Sequence, residues 1–184
     1  MIVGVGGQGS LLASKLLGAV SAQMGYDVKV SEVHGMSQRG GSVVTYVRFG
    51  EKVYSPLICK GEADCIISFE KLEGARYLPY LKKGGLLIVN TQEIAPMSVL
   101  TGKAEYPKEV LETIENVTVT PVDALSYAIS VGSAKAVNMV LMGYFAKNMP
   151  EIPLKIWQDA MAEVIHPKYL EMNQKAFALG YTHA

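Results

Sequence analysis

The sequence predicts a three-layer α/β/α domain of the Rossmann-like kind, with a mostly parallel sheet and an antiparallel hairpin. Three observations favour this α/β fold class. Strand-like apolar segments alternate with segments of helical periodicity, and a glycine-rich turn joins the first strand to the first helix. The length of 184 residues, with 49% hydrophobic residues, suits one domain with an ample core, so we expect a single domain over residues 1–184.

The opening of the chain predicts a strand, a glycine loop, a helix and a second strand. Residues 1–6 form a short apolar run, and apolar side chains then recur at helical spacing from Ser10 to Met24. Gly25 is placed to end this helix in a left-handed conformation, which glycine adopts at little cost. Residues 26–33 complete a βαβ unit.

The middle of the chain predicts a hairpin followed by a further strand, helix and strand. Residues 42–49 alternate like a strand, and residues 50–52 could turn the chain into a partner strand over residues 53–57. A strand over 63–69, a helix over 70–81 and a strand over 85–90 follow. Residues 91–106 show no period, and a loop of that length in a compact domain is often functional or interfacial.

The last third predicts a strand and four helices. After a strand over residues 116–121, Asp123 is placed as the N-cap of a helix that runs to Ile129. The helix over 133–149 is apolar on all sides, so either the domain itself or a partner subunit must cover it. Helices over 154–165 and 168–180 complete the chain.

Charge and composition exclude several classes of function. Seventeen basic and seventeen acidic residues cancel without a lysine or arginine run, which argues against a nucleic-acid or anionic-membrane surface. Cys59 and Cys65 do not have the spacing of a metal or iron–sulfur motif, so we expect free thiols and no metal ligands. No apolar run approaches the roughly 20 residues of a membrane span, and we expect a cytoplasmic location.

The first glycine-rich segment has the spacing of a dinucleotide-binding loop. Gly4, Gly6 and Gly9 lie between a predicted strand and helix, where backbone N–H groups can receive a phosphate or another anion. Glu32 ends the second strand, where a dinucleotide enzyme carries its ribose-binding acid. This motif alone leaves three alternatives: a structural turn, an anion or cofactor contact within a complex, and independent nucleotide binding.

The second glycine-rich segment does not suit an adenine pocket. It is dense in polar side chains where a plain dinucleotide fold has one acidic residue, and it reads His34-Gly35-Met36-Ser37-Gln38-Arg39-Gly40-Gly41. We expect it to face something larger or differently charged. The carboxyl ends of parallel strands share one sheet edge, so both segments, Asn90 and Asp123 should lie there.

Together, the two segments resemble the gamma-type domain of 2-oxoacid:ferredoxin oxidoreductases. The likeness rests on residues 4–15 and 31–43 and runs through most of the chain. Members that act on pyruvate or ketoisovalerate typically carry Pro-x-x-Gly-x-Glu-Arg-Arg-Gly in the second segment. The different residues here favour the branch of the family that acts on aryl-pyruvates such as indolepyruvate.

The resemblance implies a subunit of an enzyme that oxidatively decarboxylates an aryl-pyruvate to an aryl-acetyl-CoA and reduces ferredoxin. Coenzyme A would be the co-substrate. Thiamine diphosphate, Mg²⁺ and the iron–sulfur clusters would belong to a large alpha subunit, which would contact ferredoxin. This chain would bind none of these cofactors alone, would be inactive alone, and could form a homodimer in isolation.

Within such a complex we predict cofactor-binding residues but no catalytic residue in this chain. The predicted residues are Gly6, Gly7, Gln8, Gly9, His34, Ser37, Gln38 and Arg39. Arg39 is the strongest candidate because a guanidinium can clamp a phosphate or carboxylate with two hydrogen bonds. Three alternatives remain: an NAD(P)-binding dehydrogenase domain, the gamma subunit of a pyruvate or ketoisovalerate enzyme, and a non-enzymatic assembly module.

Overall fold

A computed structural model describes residues 1–34, 40–107, 109–111, 114 and 116–184 of the chain. Within these residues the strands are β1 (Ile2–Val5), β2 (Asp27–His34), β3 (Ser42–Gly50), β4 (Ala63–Ser68), β5 (Leu81–Asn90) and β6 (Thr118–Val122). The helices are α1 (Ser10–Gln23), α2 (Lys71–Tyr77), α3 (Met97–Leu100), α4 (Ala124–Ser130), α5 (Val137–Lys147), α6 (Leu154–Val164) and α7 (Pro167–His183). Single 3₁₀ turns follow α2 and precede α5.

The six strands form one sheet in the order β2-β3-β1-β4-β5-β6. Parallel pairings join β1 to β4, β4 to β5 and β5 to β6, whereas β3 pairs antiparallel with both β1 and β2. Only β3 is therefore reversed among the described strands, and the prediction of a mostly parallel α/β sheet with an antiparallel hairpin is confirmed.

The members of the hairpin differ from the prediction. The strand expected over residues 53–57 is absent from the described structure, and β3 instead pairs with β2 from Asp27↔Gly50 to His34↔Val43. The Val53 N–H donates to the Asp27 carboxylate at 3.0 Å, so the chain after β3 crosses towards the start of β2 rather than folding back along β3. Pro56 also lacks the N–H that a ladder position uses.

The two faces of the sheet are covered unequally. Ile2, Ile67 and Ile88 face a core built with α1 and α4 to α7. Val3, Ile66 and Leu87 face the other way, towards α2 and its 3₁₀ turn. Leu111, Ile114 and Val117 pack against the same core. Successive strand residues point to opposite faces, so these apolar runs serve two cores at once. The sheet is the middle of three layers.

The chain itself covers its most apolar helix. Every residue of α5 from Val137 to Ala146 is buried within this chain. The domain itself, rather than a partner subunit, therefore covers the helix. A Cβ added to Gly143 would lie against the Phe177 carbonyl oxygen, and one added to Gly180 would lie against the Val140 carbonyl oxygen. Two glycines therefore let the backbones of α5 and α7 touch.

Local signals at helix ends are also confirmed. Gly25 follows α1 with φ +80°, and the Asp123 carboxylate accepts a hydrogen bond from the Ser126 N–H at 3.2 Å at the start of α4. None of the described helices has both the length and the apolar character needed to cross a bilayer.

Candidate functional site

The two glycine-rich segments meet at the carboxyl end of β1. The Gly6 N–H donates to the Gly41 carbonyl oxygen at 2.8 Å, and the Gly40 N–H donates to the Gly6 carbonyl oxygen at 3.5 Å. Beside this pairing lies an open cleft of about 450 Å³, lined by Gly6, Gly7, Gly9, Ser10, Leu11, Glu32, His34 and Val43. The structure thus brings together five of the eight predicted site residues at or beside one cleft: Gly6, Gly7, Gln8, Gly9 and His34.

The side-chain amide of Gln8 makes hydrogen bonds that stabilise the loop. Its Oε1 accepts from the Val5 N–H at 2.7 Å, and its Nε2 donates to the Phe69 carbonyl oxygen at 2.9 Å. The amide thereby ties the glycine loop to the end of β4. A Cβ at Gly4 would lie 2.8 Å from this Oε1, so the first glycine leaves room for the Gln8 side chain.

Gly7 and Gly9 give the loop its shape because both adopt positive φ angles, +101° and +89°. Only glycine takes such angles without appreciable strain. The Asn138 Nδ2 donates to the Gly9 carbonyl oxygen at 3.3 Å, and it would lie 2.6 Å from a Cβ at Gly9. Asn138 was not singled out from the sequence. An asparagine between apolar residues of a helix predicted to be buried was the available signal, and the structure buries it.

The cleft offers donors on one side and a carboxylate on the other. The first N–H groups of an α-helix have no intrahelical acceptor, and α1 begins at Ser10 on the cleft wall. Opposite, the Glu32 Oε2 accepts from the hydroxyls of Ser10 at 3.4 Å and Thr45 at 3.2 Å. Such a site suits a ligand that carries an anionic group together with hydroxyl or amino donors.

The position of Glu32 differs from that of a ribose-binding acid. In a dinucleotide fold the second strand lies directly beside the first, whereas here β3 lies between β1 and β2. One strand adds about 4.8 Å, so the end of β2 lies roughly 10 Å from β1 across the sheet rather than about 5 Å. The Glu32 side chain nevertheless reaches the glycine loop, because its Oε2 lies 3.4 Å from the hydroxyl of Ser10, the residue after Gly9. The order of the strands, rather than the distance of the acid, therefore distinguishes this cleft from a dinucleotide site.

His34 is the last residue of β2 and is exposed at the cleft. Ser37, Gln38 and Arg39, the other predicted site residues, lie outside the described residues. Their proposed contacts with a cofactor remain predictions, and so do those of Gly6, Gly7, Gln8, Gly9 and His34.

A buried carboxylate beside the cleft was also missed from the sequence. Glu70 is 1% exposed, and its Oε2 caps α2 by accepting from the Glu73 N–H at 2.8 Å. Its Oε1 accepts from the Ile94 N–H at 3.0 Å and the Tyr106 hydroxyl at 2.5 Å. Burial, and next the hydrogen bond to Glu70, raises the pKa of Tyr106, so the phenol remains a donor. Glu70 thus holds both ends of the loop over residues 94–106.

Asn90 has a structural role at the same edge. Its Nδ2 donates to the Phe69 carbonyl oxygen at 3.1 Å, and its Oδ1 accepts from the Ala124 N–H at 3.3 Å. The side chain is fully buried and links the ends of β4 and β5 to the start of α4. Buried amides with satisfied hydrogen bonds of this kind fix geometry rather than bind ligands.

The opposite edge of the sheet holds a second cavity, of about 350 Å³, whose lining includes Cys65. Burial raises the pKa of the Cys65 thiol to about 12, so this thiol is protonated at neutral pH and is a poor nucleophile. Among the described residues, no group of three histidine, cysteine, aspartate or glutamate side chains is placed to hold a metal ion.

Comparison with known proteins identifies the family. Residues 1–183 match the family model described as pyruvate ferredoxin/flavodoxin oxidoreductase. The Indolepyruvate oxidoreductase subunit IorB of Pyrococcus horikoshii is 45% identical over 98% of this chain and 92% of its own length. The protein of the same name from Thermococcus kodakarensis is 44% identical, with the same coverage.

A solved structure agrees on the fold. The gamma subunit of keto/oxoacid ferredoxin oxidoreductase from Geobacter sulfurreducens superposes with a TM-score of 0.72, over 98% of this chain and 94% of that one, at 22% identity. The resemblance found in the two glycine-rich segments is therefore confirmed. The chain belongs to the pyruvate ferredoxin/flavodoxin oxidoreductase family.

Proposed function

We propose that this chain is the small subunit of an indolepyruvate-type 2-oxoacid:ferredoxin oxidoreductase. The observation that carries the proposal is the 45% identity, over nearly the whole length of both chains, to a protein named as an indolepyruvate oxidoreductase subunit. The second glycine-rich segment favours the same branch, and the gamma subunit of a pyruvate or ketoisovalerate enzyme is the weaker alternative.

The proposed reaction oxidises an aryl-pyruvate. The bond between C1 and C2 breaks and CO₂ leaves, the remaining acyl group joins the sulfur of coenzyme A, and two electrons pass to ferredoxin with release of a proton. Thiamine diphosphate supplies the electron sink for the decarboxylation. We assign it, with Mg²⁺ and the iron–sulfur clusters, to a larger partner subunit, since the side chains at the glycine cleft offer no comparable sink.

In this complex the glycine cleft positions coenzyme A against the partner. The backbone N–H groups of Gly7, Gly9 and the start of α1 are suited to a phosphate oxygen. Glu32 is an acceptor that would repel a phosphate, so it is suited to a hydroxyl or amino group of the same ligand. His34, Ser37, Gln38 and Arg39 complete the proposed binding set, and Gln8 supports the loop from behind.

We also place the assembled enzyme in the cytoplasm. Cys59 and Cys65 are both free thiols, which is compatible with a reducing compartment.

Reconstitution tests the function. The chain is co-expressed with the large subunit encoded in the same organism, and indolepyruvate- and coenzyme A-dependent reduction of ferredoxin is measured. We expect turnover from the complex and none from either subunit alone. Turnover of a 2-oxoacid by the isolated chain would contradict the division of labour, and a complex that prefers pyruvate would contradict the substrate class.

A matched pair of arginine variants tests the cleft. Arg39→Ala should raise the KM for coenzyme A at least tenfold, because one charge-assisted contact to phosphate is lost. Arg48→Ala is the control, since Arg48 lies towards the other end of β3 and donates to the Leu57 carbonyl oxygen at 2.7 Å. An unchanged KM in Arg39→Ala, with normal assembly, would remove Arg39 from the proposed binding set.

Calorimetric titration separates this proposal from a dehydrogenase domain. The position of β3 between β1 and β2 departs from the strand order of a dinucleotide fold, so we expect no NAD or NADP binding by the isolated chain. Micromolar affinity for either nucleotide would favour the dehydrogenase alternative.

A further inference from the structure

The loop over residues 91–106 carries two of the most exposed apolar side chains of the described structure. Met97 is 69% exposed and Leu100 is 68% exposed, and they stand three residues apart on α3, so they project from the same side of that turn. No charged residue occurs from Ile94 to Thr101, whereas Glu93 and Lys103 flank the stretch. We call Met97 and Leu100 the apolar knob.

The knob stands on a fixed base. The loop is tied to the buried Glu70 at Ile94 on one side and at Tyr106 on the other. The Tyr106 hydroxyl also accepts from the Leu72 N–H at 3.2 Å. A surface that is already ordered loses less conformational entropy on binding, so exposed apolar groups on such a base are well suited to a stable contact.

The same base continues into the glycine cleft. The Phe69 carbonyl oxygen accepts from the Gln8 amide of the glycine loop and from Asn90 at the end of β5. Glu70, the next residue, holds the loop that carries the knob. The glycine cleft and the knob therefore lie along one edge of the sheet and share residues 69 and 70 as support.

We propose that the apolar knob docks into an apolar groove of the larger partner subunit, beside the glycine cleft. This inference rests on the proposed function, because it assumes that subunit. An uncharged centre with charged residues at its margin is the pattern of a protein interface, in which methionine is enriched.

The size of the knob argues against a second copy of this chain as the occupant. A two-fold contact uses the same patch of both copies, so each copy would contribute its own knob. Two side chains from each copy cover far less than the roughly 800 Å² per partner that a specific interface buries. The knob is instead suited to extend the larger contact proposed at the glycine cleft.

The test compares two pairs of substitutions in the co-expressed complex. Met97→Ser with Leu100→Ser removes the knob. Ile129→Ser with Leu154→Ser is the control, since these side chains are 58% and 40% exposed on α4 and α6. Association with the purified large subunit is measured by analytical ultracentrifugation, and the stability of each isolated variant by thermal unfolding.

We expect the knob variant to bind the large subunit at least tenfold more weakly, the control to stay within twofold of wild type, and both to unfold at the wild-type temperature. A third variant, Tyr106→Phe, keeps the knob but removes a hydrogen bond that fixes its base, and should weaken binding to the large subunit severalfold.

The outcomes separate the inference from the proposed function. If wild type forms an active complex and the knob variant binds equally well, the inference is wrong and the proposed function stands. If wild type does not bind the large subunit, both are wrong. Loss of self-association alone, with unchanged binding to the large subunit, would assign the knob to a homodimer and overturn the inference.

Discussion

The shape of the glycine loop depends on two side-chain amides, one within the loop and one on α5. Gln8 joins the loop to Phe69, and Asn138 joins it to α5. These bonds span 61 and 129 residues of sequence, so no local pattern could predict them. The Asp123 cap and the turn at Gly25 were predictable because each depends on neighbours within a few residues.

Alanine substitutions at Gly7 and Gly9 should separate backbone strain from steric contact. Gly7→Ala should lower the free energy of unfolding by about 1–2 kcal/mol, because its φ is positive but its Cβ would meet nothing within 4 Å. Gly9→Ala should cost about 2–4 kcal/mol, since a clash with Asn138 adds to similar strain. Urea unfolding of the isolated chain measures both.

A double variant checks the cause of the difference. In Gly9→Ala combined with Asn138→Ala, the two costs should be less than additive, because the smaller side chain at position 138 admits the new methyl group. Strict additivity, or equal costs for Gly7→Ala and Gly9→Ala, would show that Asn138 does not press on this position.

Among the elements, the hairpin shows where a sequence pattern is ambiguous. The alternation over residues 42–49 correctly predicts β3, but it does not say which neighbour β3 pairs with. The pairing of β2 with β3 was not predicted, because the polar residues that follow β2 in the sequence favour a binding loop. Asp27 accepts a hydrogen bond from the Val53 N–H and so keeps residue 53 at the start of β2, away from a ladder with β3. The hydrogen bond from Lys29, and next that from the Val53 N–H, lowers the pKa of the Asp27 carboxyl to about 2.

The contact between α5 and α7 predicts a sharp contrast between two glycine-to-alanine substitutions in helices. Gly143→Ala should lower the free energy of unfolding by at least about 3 kcal/mol, because its Cβ would overlap a carbonyl oxygen of α7. Gly18→Ala in α1 has open space and should raise it by roughly 0.5–1 kcal/mol, the helix preference of alanine.

Chemical denaturation of both variants measures these changes. A Gly143→Ala protein as stable as wild type would show that the two helices can separate at no cost. The close crossing was not predictable, since Gly143 and Gly180 lie far apart in sequence.

At the scale of the whole molecule, the fold class, the single sheet and the sheet edge that carries the glycine segments followed from alternation and from the βα turn. The unequal cover of the two faces did not, because it depends on which helices return to which side. Of the described helices, five pack on one face, whereas α2, its 3₁₀ turn and described loop residues pack on the other.

This asymmetry predicts the pattern of amide hydrogen exchange in the isolated chain. Amides of α5, β1, residues 66–68 of β4 and residues 87–90 of β5 should exchange slowest, near the rate of global unfolding, because almost all of these residues are buried. The edge strand β2 should exchange much faster, since Val30 and Val33 are about half exposed. Mass spectrometry of exchanged fragments measures both. Equal protection of β2 and β5 would contradict the prediction.

The carbonyl oxygen of Phe69 connects the glycine cleft with the apolar knob. Gln8 and Asn90 both donate to this one atom, and the adjoining Glu70 anchors the segment that bears α3. A shift of the backbone at residues 69 and 70 would move both the glycine cleft and the apolar knob. If seating on the companion subunit tightens the grip on a cofactor, occupancy by that cofactor must strengthen the seating by the same factor, because thermodynamic linkage is reciprocal.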